Sequence, residues 1–145
     1  MKKQPDIYYD KASGYTKAII YYKNNTFIGE AQCHPEDEDI ISEYTGSEIA
    51  LRRANIKVMQ FEKNNEIVPQ ISILKHIKSL QDQHEETLLE KSYEITLKKL
   101  LQLENDLATL KEMIALEKQE LKLYIDAQEK FAAVIRAKKE KAQKD

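Results

Sequence analysis

Cys33, His34 and the acidic residues after them form the densest group of side chains with metal-binding or nucleophilic chemistry. A thiolate, an imidazole and carboxylates all bind zinc, and a Cys–His pair can also perform nucleophilic catalysis. Adjacent residues of a strand point to opposite faces, however, so Cys33 and His34 cannot readily share one ion or one proton. Cys33 is also the only cysteine, so no Cys-x-x-Cys pair completes a zinc site. We therefore predict no catalytic residues, no metal site and no cofactor, and a protein that is not an enzyme.

An acidic run follows Pro35 and is the first candidate for partner binding; it consists of Glu36, Asp37, Glu38 and Asp39. Closely spaced carboxylates can mimic phosphates and occupy a basic groove on another protein, because complementary charge speeds association and fixes register. The alternative is a short, solvated acidic loop. We predict that these four residues contact a partner protein.

Basic side chains on a predicted helix form the second candidate, and they are Arg52, Arg53 and Lys57. Such a cluster can contact phosphates or acidic groups of a partner. The alternative is surface charge paired locally with Glu48 and Glu62. The net charge of −2 gives no overall signature of a nucleic-acid-binding protein. A basic C-terminal tail could also bind nucleic acid, or simply favour the helix dipole.

Two predicted strands precede this helix, at residues 15–23 and 26–34, where β-branched and aromatic residues are frequent. Asn24-Asn25 predicts a two-residue hairpin turn, since asparagine tolerates positive φ. Gly29 and Ala31 are small and share one face of the second strand, so we expect a helix to pack closely over them. A short third strand is predicted near residues 40–44.

The helix itself is predicted to begin with Ser47 as its N-cap and to fade near Asn64-Asn65, with Pro69 as a boundary. No glycine or proline follows Pro69. We predict a short helix at about residues 70–80, a bend at 81–87 and a long helix at about 88–140. Together these elements predict an α+β fold: a β-hairpin-plus-helix head at residues 1–66 and a helical, coiled-coil-like segment at residues 67–145.

Apolar residues recur along the long helix at alternating spacings of three and four, which is typical of a coiled coil. Such a seam must be covered either by the chain folding back on itself or by another chain, and we favour a homodimer. The residues predicted to mediate oligomerisation are Leu100, Leu103, Leu107, Leu110, Ile114, Leu121 and Tyr124.

Two stretches of the head carry a resemblance to a known group of proteins. N-T-F-I-G-E-A-Q-C-H-P-E-D-E-D spans residues 25–39, and T-G-S-E-I-A-L-R-R-A spans residues 45–54. Over roughly residues 15–65 the chain resembles short accessory proteins of phages and prophages of Gram-positive bacteria. Similar accessory genes include inhibitors of host defence such as anti-CRISPR proteins. The order of hairpin, acidic loop and basic helix also resembles the last part of a double-stranded-RNA-binding domain.

The resemblance implies a phage-derived interaction protein that inhibits a host nucleic-acid-handling defence enzyme, with a CRISPR effector nuclease as the expected partner. The alternatives are a double-stranded nucleic-acid-binding module and a coiled-coil structural or assembly protein of a phage. The single cysteine and the lack of a membrane-spanning apolar run predict a location inside a cell. The resemblance implies that this is the cytoplasm of the bacterial host. No membrane partner is expected.

Overall fold

The computed structural model of the protein describes residues 4–33, 39–83 and 90–144. Three strands, β1 (Asp6–Asp10), β2 (Tyr15–Tyr22) and β3 (Asn25–Gln32), precede the helices. These are α1 (Asp39–Phe61), a π-helical segment (Glu62–Ile67), α2 (Val68–Asp82) and α3 (Glu90–Lys144). The predicted α+β fold with a long C-terminal helix is confirmed.

The contacts divide the chain into two units. The first unit comprises Met1–Val58 with Ala115–Asp145, and the second comprises Met59–Ile114. Each unit therefore takes part of α1 and part of α3. The predicted division between residues 66 and 67 stays a prediction.

β2 and β3 form the predicted hairpin, but the turn is Lys23-Asn24 rather than Asn24-Asn25. Lys23 and Asn24 both have positive φ, of 48° and 62°, as a turn with the twist of a hairpin requires. Asn25 already pairs with Tyr22 as the first residue of β3. Its side-chain Nδ2 donates to the Lys23 carbonyl at 2.9 Å, and this hydrogen bond stabilises the turn.

The third strand is β1, and it pairs antiparallel with β2 to give the sheet order β1-β2-β3. The prediction of a third strand at residues 40–44 is wrong, because that segment belongs to α1. The β1–β2 turn is ordered by Asp10, whose carboxylate accepts hydrogen bonds from the Ala12 N–H at 3.1 Å and the Ser13 hydroxyl at 2.8 Å.

Helix α1 begins at Asp39, two turns before the predicted N-cap Ser47, so that prediction is also wrong. Gly46 therefore lies inside the helix, where glycine is normally unfavourable. A Cβ on Gly46 would clash with the Thr16 hydroxyl and lie 3.4 Å from Cys33 Sγ. The glycine is there because the helix passes too close to the sheet for a side chain, and not because the chain turns.

The core of the first unit lies between α1 and one face of the sheet. Small residues on both elements let their backbones approach, as the sequence predicted for Gly29 and Ala31. A Cβ on Gly29 would lie 2.6 Å from the Ala54 nitrogen and closer still to the Ala50 carbonyl oxygen. The buried cluster comprises Ala18, Ile20, Ala31, Ile49, Ala50, Ala54 and Val58.

The helix does not fade at Asn64-Asn65 or stop at Pro69, as predicted, but continues from α1 through the π-helical segment into α2. Pro69 is the second residue of α2. Inside a continuous helix, proline supplies no N–H to the hydrogen-bond ladder and its ring clashes with the preceding turn. A π-helical turn immediately before it shifts the hydrogen-bond ladder, which avoids the clash that proline makes with the carbonyl four residues earlier. The helix therefore accommodates the proline.

Helix α3 is 55 residues long and runs through parts of both units. Helix α2 ends at Asp82 and α3 starts at Glu90. The predicted bend at residues 81–87 lies mostly outside the described residues and stays a prediction. Within the described part of the chain, no helix is both long enough and apolar enough to cross a membrane.

Candidate interaction surface

Arg52, which was predicted to contact a partner, instead forms ion pairs with two helices of the first unit. Its guanidinium donates to Glu117 on α3 at 2.7 Å and to Glu48 on α1 at 3.2 Å, and it also pairs with Glu120. It stacks over the Tyr124 ring at 4.9 Å. Burial alone would lower the pKa of Arg52, but hydrogen bonds to Glu117 and Tyr124 and the nearby carboxylates outweigh it and raise the pKa. Arg52 therefore joins α1 to α3.

Arg53 and Lys57, the other two predicted cations, reach back to the sheet. Arg53 Nη1 donates to the Glu30 carbonyl at 2.7 Å, and Lys57 Nζ donates to the Ile28 carbonyl at 2.6 Å. Both carbonyls belong to the outer edge of β3. The structure thus gives all three basic residues partners within their own chain, and their role in partner binding stays a prediction.

The predicted acidic surface cannot be placed in the same way. Residues 36–38 lie outside the described part of the chain, and Asp39 is the first residue of α1. The acidic run is therefore not a loop throughout, since its last member starts a helix. Its role in recognition stays a prediction.

The seam predicted to mediate oligomerisation is already buried or half-buried within the single chain. Leu121 and Tyr124 contact the core of the first unit. In the second unit Leu100, Leu110 and Ile114 are buried, while Leu103 and Leu107 are half-buried. Each unit thus uses these apolar residues internally, and a homodimer formed through this seam stays a prediction.

The face of the sheet opposite α1 is a surface that the sequence reasoning did not identify. We call it the outer sheet face. Strand alternation and the register place every second residue of each strand on it. It comprises Asp6, Tyr8 and Asp10 of β1, Tyr15, Lys17, Ile19 and Tyr21 of β2, and Thr26, Ile28, Glu30 and Gln32 of β3.

Aromatic side chains on this face are available to a partner. Tyr8 is 57% exposed and Tyr21 is 38% exposed, whereas residues of β2 on the α1 side are mostly buried. The pKa of the Tyr15 phenol is raised, first by desolvation and then by the neighbouring Glu30 carboxylate, which accepts its hydrogen bond. The face thus combines tyrosines with branched aliphatic residues and a polar margin.

The electrostatic character of the outer sheet face is acidic. Asp6, Asp10 and Glu30 carry negative charge, against the single cation Lys17. In the register Lys17 lies between Tyr8 on β1 and Glu30 on β3. A surface of this kind repels phosphates and attracts a basic protein surface.

A signal for this face was present in the sequence, in the alternation of β2. Thr16, Ala18 and Ile20 are buried on one side, and larger or charged residues alternate with them. The outer sheet face was not predicted, because the alternation of β2 does not say which of its two faces a helix covers and because β1 was not predicted. Without β1, Tyr8, the most exposed tyrosine of this face, has no assigned position.

The second unit contains an apolar cleft of about 470 Å³, lined by Gln70, Ile73, Leu74, Lys99, Gln102 and Leu103. Near the adjoining ends of α2 and α3, Lys78 pairs with Asp82 at 3.2 Å and lies over the Tyr93 ring at 5.8 Å. Tyr93 and Lys78 both hydrogen-bond Asp82 and lower the pKa of its carboxyl group. These polar contacts connect α2 to α3 within this unit.

The described residues contain no group of three or more His, Cys, Asp or Glu side chains arranged to hold a metal ion. Cys33 is buried, and its Sγ donates to the Ser42 carbonyl at 3.3 Å. No protein-family model matches this chain, and it has no significant match among curated proteins or solved structures.

Proposed function

We propose that this protein is a non-enzymatic interaction protein that inhibits a nucleic-acid-handling defence enzyme of a bacterial host by occupying its surface. In this proposal it acts in the host cytoplasm like the phage-encoded anti-CRISPR proteins, and a CRISPR effector nuclease is the target. The observation that carries the proposal is the outer sheet face, a tyrosine-rich, acidic surface on a three-stranded sheet.

The composition of that face supports protein binding. Tyrosine is enriched at the energetic centres of protein interfaces, because it offers a large apolar ring and a polar tip at low entropic cost. Tyr8 and Tyr21 are the exposed aromatic residues here. Ile19 and Ile28 are half-buried on the same face and extend the apolar area between the strands.

The charge of the face supports the class of target. Enzymes that handle nucleic acids carry basic grooves for the phosphate backbone. A protein surface bordered on its β1 side by Asp6 and Asp10 is complementary to such a groove and can compete with nucleic acid for it.

The double substitution Tyr8→Ala with Tyr21→Ala tests the proposal. Because each tyrosine removed from an interface centre costs about 2 kcal/mol, or ~30-fold in affinity, we expect the double variant to inhibit DNA cleavage by purified CRISPR effector nucleases roughly 10³-fold more weakly. The matched control is Leu123→Ala, since Leu123 is 67% exposed and belongs to α3 and not to the outer sheet face. Circular dichroism checks that both variants are folded.

Two results would contradict the proposal: no inhibition or binding by the unmodified protein across the nuclease panel, or full inhibition by the double variant. If Arg53→Ala instead abolished inhibition while the double tyrosine variant kept it, recognition would belong to the basic helix and not to the outer sheet face. Binding is measured by calorimetry in parallel, so that loss of affinity is separated from loss of inhibition.

A double-stranded nucleic-acid-binding module is the second candidate function. The observation in its favour is the element order of the first unit, an antiparallel three-stranded sheet followed directly by a helix, as in the last part of a double-stranded-RNA-binding domain. Steep salt dependence of duplex binding supports it, and no gel shift at low salt excludes it. The intramolecular partners of Arg52, Arg53 and Lys57 count against it.

A homodimeric coiled-coil or assembly protein of a phage is the third candidate. Large apolar side chains that remain exposed in the second unit favour it, notably Ile73 at 60% and Leu101 at 61%. A helical bundle formed by two copies would cover such residues. Light scattering after size exclusion decides the point, because the monomer has a mass of 16.9 kDa.

A further inference from the structure

The two edges of the sheet differ in a way that side-chain composition alone does not reveal. Edge strands present unpaired N–H and C=O groups to which another strand can add. Along β3, three alternate outward carbonyls already accept hydrogen bonds from side chains. Lys57 reaches Ile28 at 2.6 Å, Arg53 reaches Glu30 at 2.7 Å, and Gln128 of α3 reaches Gln32 at 3.3 Å. The β3 edge is therefore blocked along its second half.

The orientation of these carbonyls determines which groups of β1 face outward. Residues of β3 that point their carbonyls away from β2 are the non-hydrogen-bonded partners of β2. Their partners, including Ile19 and Lys17, must therefore direct their own backbone groups towards β1, at Asp6 and Tyr8. By alternation, Ile7 and Tyr9 direct their N–H and C=O groups away from the sheet. Among the described strands β1 pairs with β2 alone, so its other edge, here called the free edge of β1, offers two pairing positions.

The side chains along that edge define the strand that fits it. A strand added antiparallel to β1 would place alternate residues beside Asp6, Tyr8 and Asp10 on the outer face. The residues between them would lie beside Ile7 and Tyr9, on the side of α1. On the added strand, basic side chains opposite Asp6 and Asp10 would form favourable charge pairs. Apolar side chains opposite Ile7, which is 43% exposed, would bury its apolar surface.

We propose that the free edge of β1 is a strand-addition site for an extended segment of a partner protein in which basic and apolar residues alternate. The inference rests on the proposed function and deepens it, because β1 borders the outer sheet face. Backbone pairing at Ile7 and Tyr9 would fix the register, and the tyrosines of the face would contact the rest of the partner.

Charge selects a basic partner over a second copy of this chain. In an antiparallel β1–β1 pair centred on Tyr8, Asp6 of each copy would lie opposite Asp10 of the other. Like charges directly opposite one another are destabilising in a sheet. Asp10 already accepts two hydrogen bonds in its own turn, so it is held in place and its charge is not free to move away. The two aspartates therefore prevent self-pairing and favour a basic strand.

A peptide of sequence Lys-Val-Thr-Val-Lys, blocked at both ends, is the probe, and its acidic counterpart Glu-Val-Thr-Val-Glu is the control. We expect the basic peptide to shift the Ile7 and Tyr9 amide resonances of the isotope-labelled full chain and to slow their hydrogen exchange. The acidic peptide should bind at least tenfold more weakly. N-methylation of the peptide amides that face β1 should abolish the shifts, because it removes the donors without changing the charge.

The variant Ile7→Pro provides the matching test on the protein. It removes an outward N–H and leaves the β2 pairing of Asp6 and Tyr8 in place, as proline at a strand edge allows. We expect at least tenfold weaker peptide binding with an unchanged melting temperature. The strand-addition site would be overturned if Ile7→Pro bound the basic peptide as tightly as the unmodified protein does and the N-methylated peptide bound as tightly as the unmodified peptide. It would also be overturned if the resonance shifts were confined to β3. Should the variant not fold, the N-methylated peptide decides alone.

The same variant separates this inference from the proposed function. If Ile7→Pro inhibits the nuclease fully while the double tyrosine variant does not, the outer sheet face acts without strand addition and only this inference fails. If the unmodified protein and its variants inhibit none of the nucleases but the basic peptide still pairs with β1, the proposed target class is wrong and the strand-addition site stands.

Discussion

Replacement of Gly29 by alanine is expected to cost about 3 kcal/mol of unfolding free energy. The added Cβ would lie 2.6 Å from the Ala54 nitrogen and closer still to the Ala50 carbonyl. Both are backbone atoms of α1, so no side-chain rotation relieves the clash. The helix must move away from the sheet, and its contacts with Ala31 and Ile20 must loosen.

Urea unfolding followed by circular dichroism measures this effect. The matched control is Thr26→Ala on the same strand, whose side chain is exposed and should cost less than about 1 kcal/mol. A Gly29→Ala protein as stable as the unmodified one would mean that α1 does not approach the sheet as closely as described. Movement of α1 would also break the hydrogen bonds that Arg53 and Lys57 donate to carbonyls of β3. The β3 edge would then become available for pairing with another strand.

Arg52→Met is expected to destabilise the protein by about 2–3 kcal/mol, because it leaves the carboxylates of Glu48 and Glu117 together without their cation. The side chain of Glu117 is only 21% exposed, so water compensates it poorly, whereas Glu120 at 55% exposure is well solvated. The methionine keeps the length of the side chain, so the loss reports the ion pairs and the contact with Tyr124 more than lost volume.

Thermal and urea unfolding of two further variants make the result specific. Arg136→Met removes a cation from an exposed position of α3 and should change stability by less than about 0.5 kcal/mol. The double variant Arg52→Met with Glu117→Leu should recover part of the loss, because a buried ion pair replaced on both sides by apolar groups leaves no unpaired charge. Unchanged stability in Arg52→Met would contradict a stabilising role for the ion pairs between Arg52 and α3, and Arg52 would again be a candidate for partner binding.

Local sequence patterns were sufficient for the β2–β3 hairpin, the close approach of a helix at Gly29 and Ala31, and the long helix α3. Each of these depends on short-range properties: β-branched and aromatic runs, small residues repeated at every second position, and a stretch of chain without helix breakers. A residue's own preferences and its nearest neighbours carry that information. For this reason the fold class was predictable.

Which charged and apolar side chains are paired or buried within the chain depended on tertiary structure instead. Arg52 meets Glu117, which is 65 residues away along the chain, and no local pattern distinguishes such a partner from solvent. Alternation along a strand tells which residues share a face but not which element covers that face, so the seam could be assigned to a dimer while Leu121 and Tyr124 contact the chain's own core. β1 was hidden for the same reason, since a five-residue strand is stabilised chiefly by its pairing with β2. Periodicity in the sequence determined the elements and their faces, and only long-range packing decided which faces were covered and which were left for a partner.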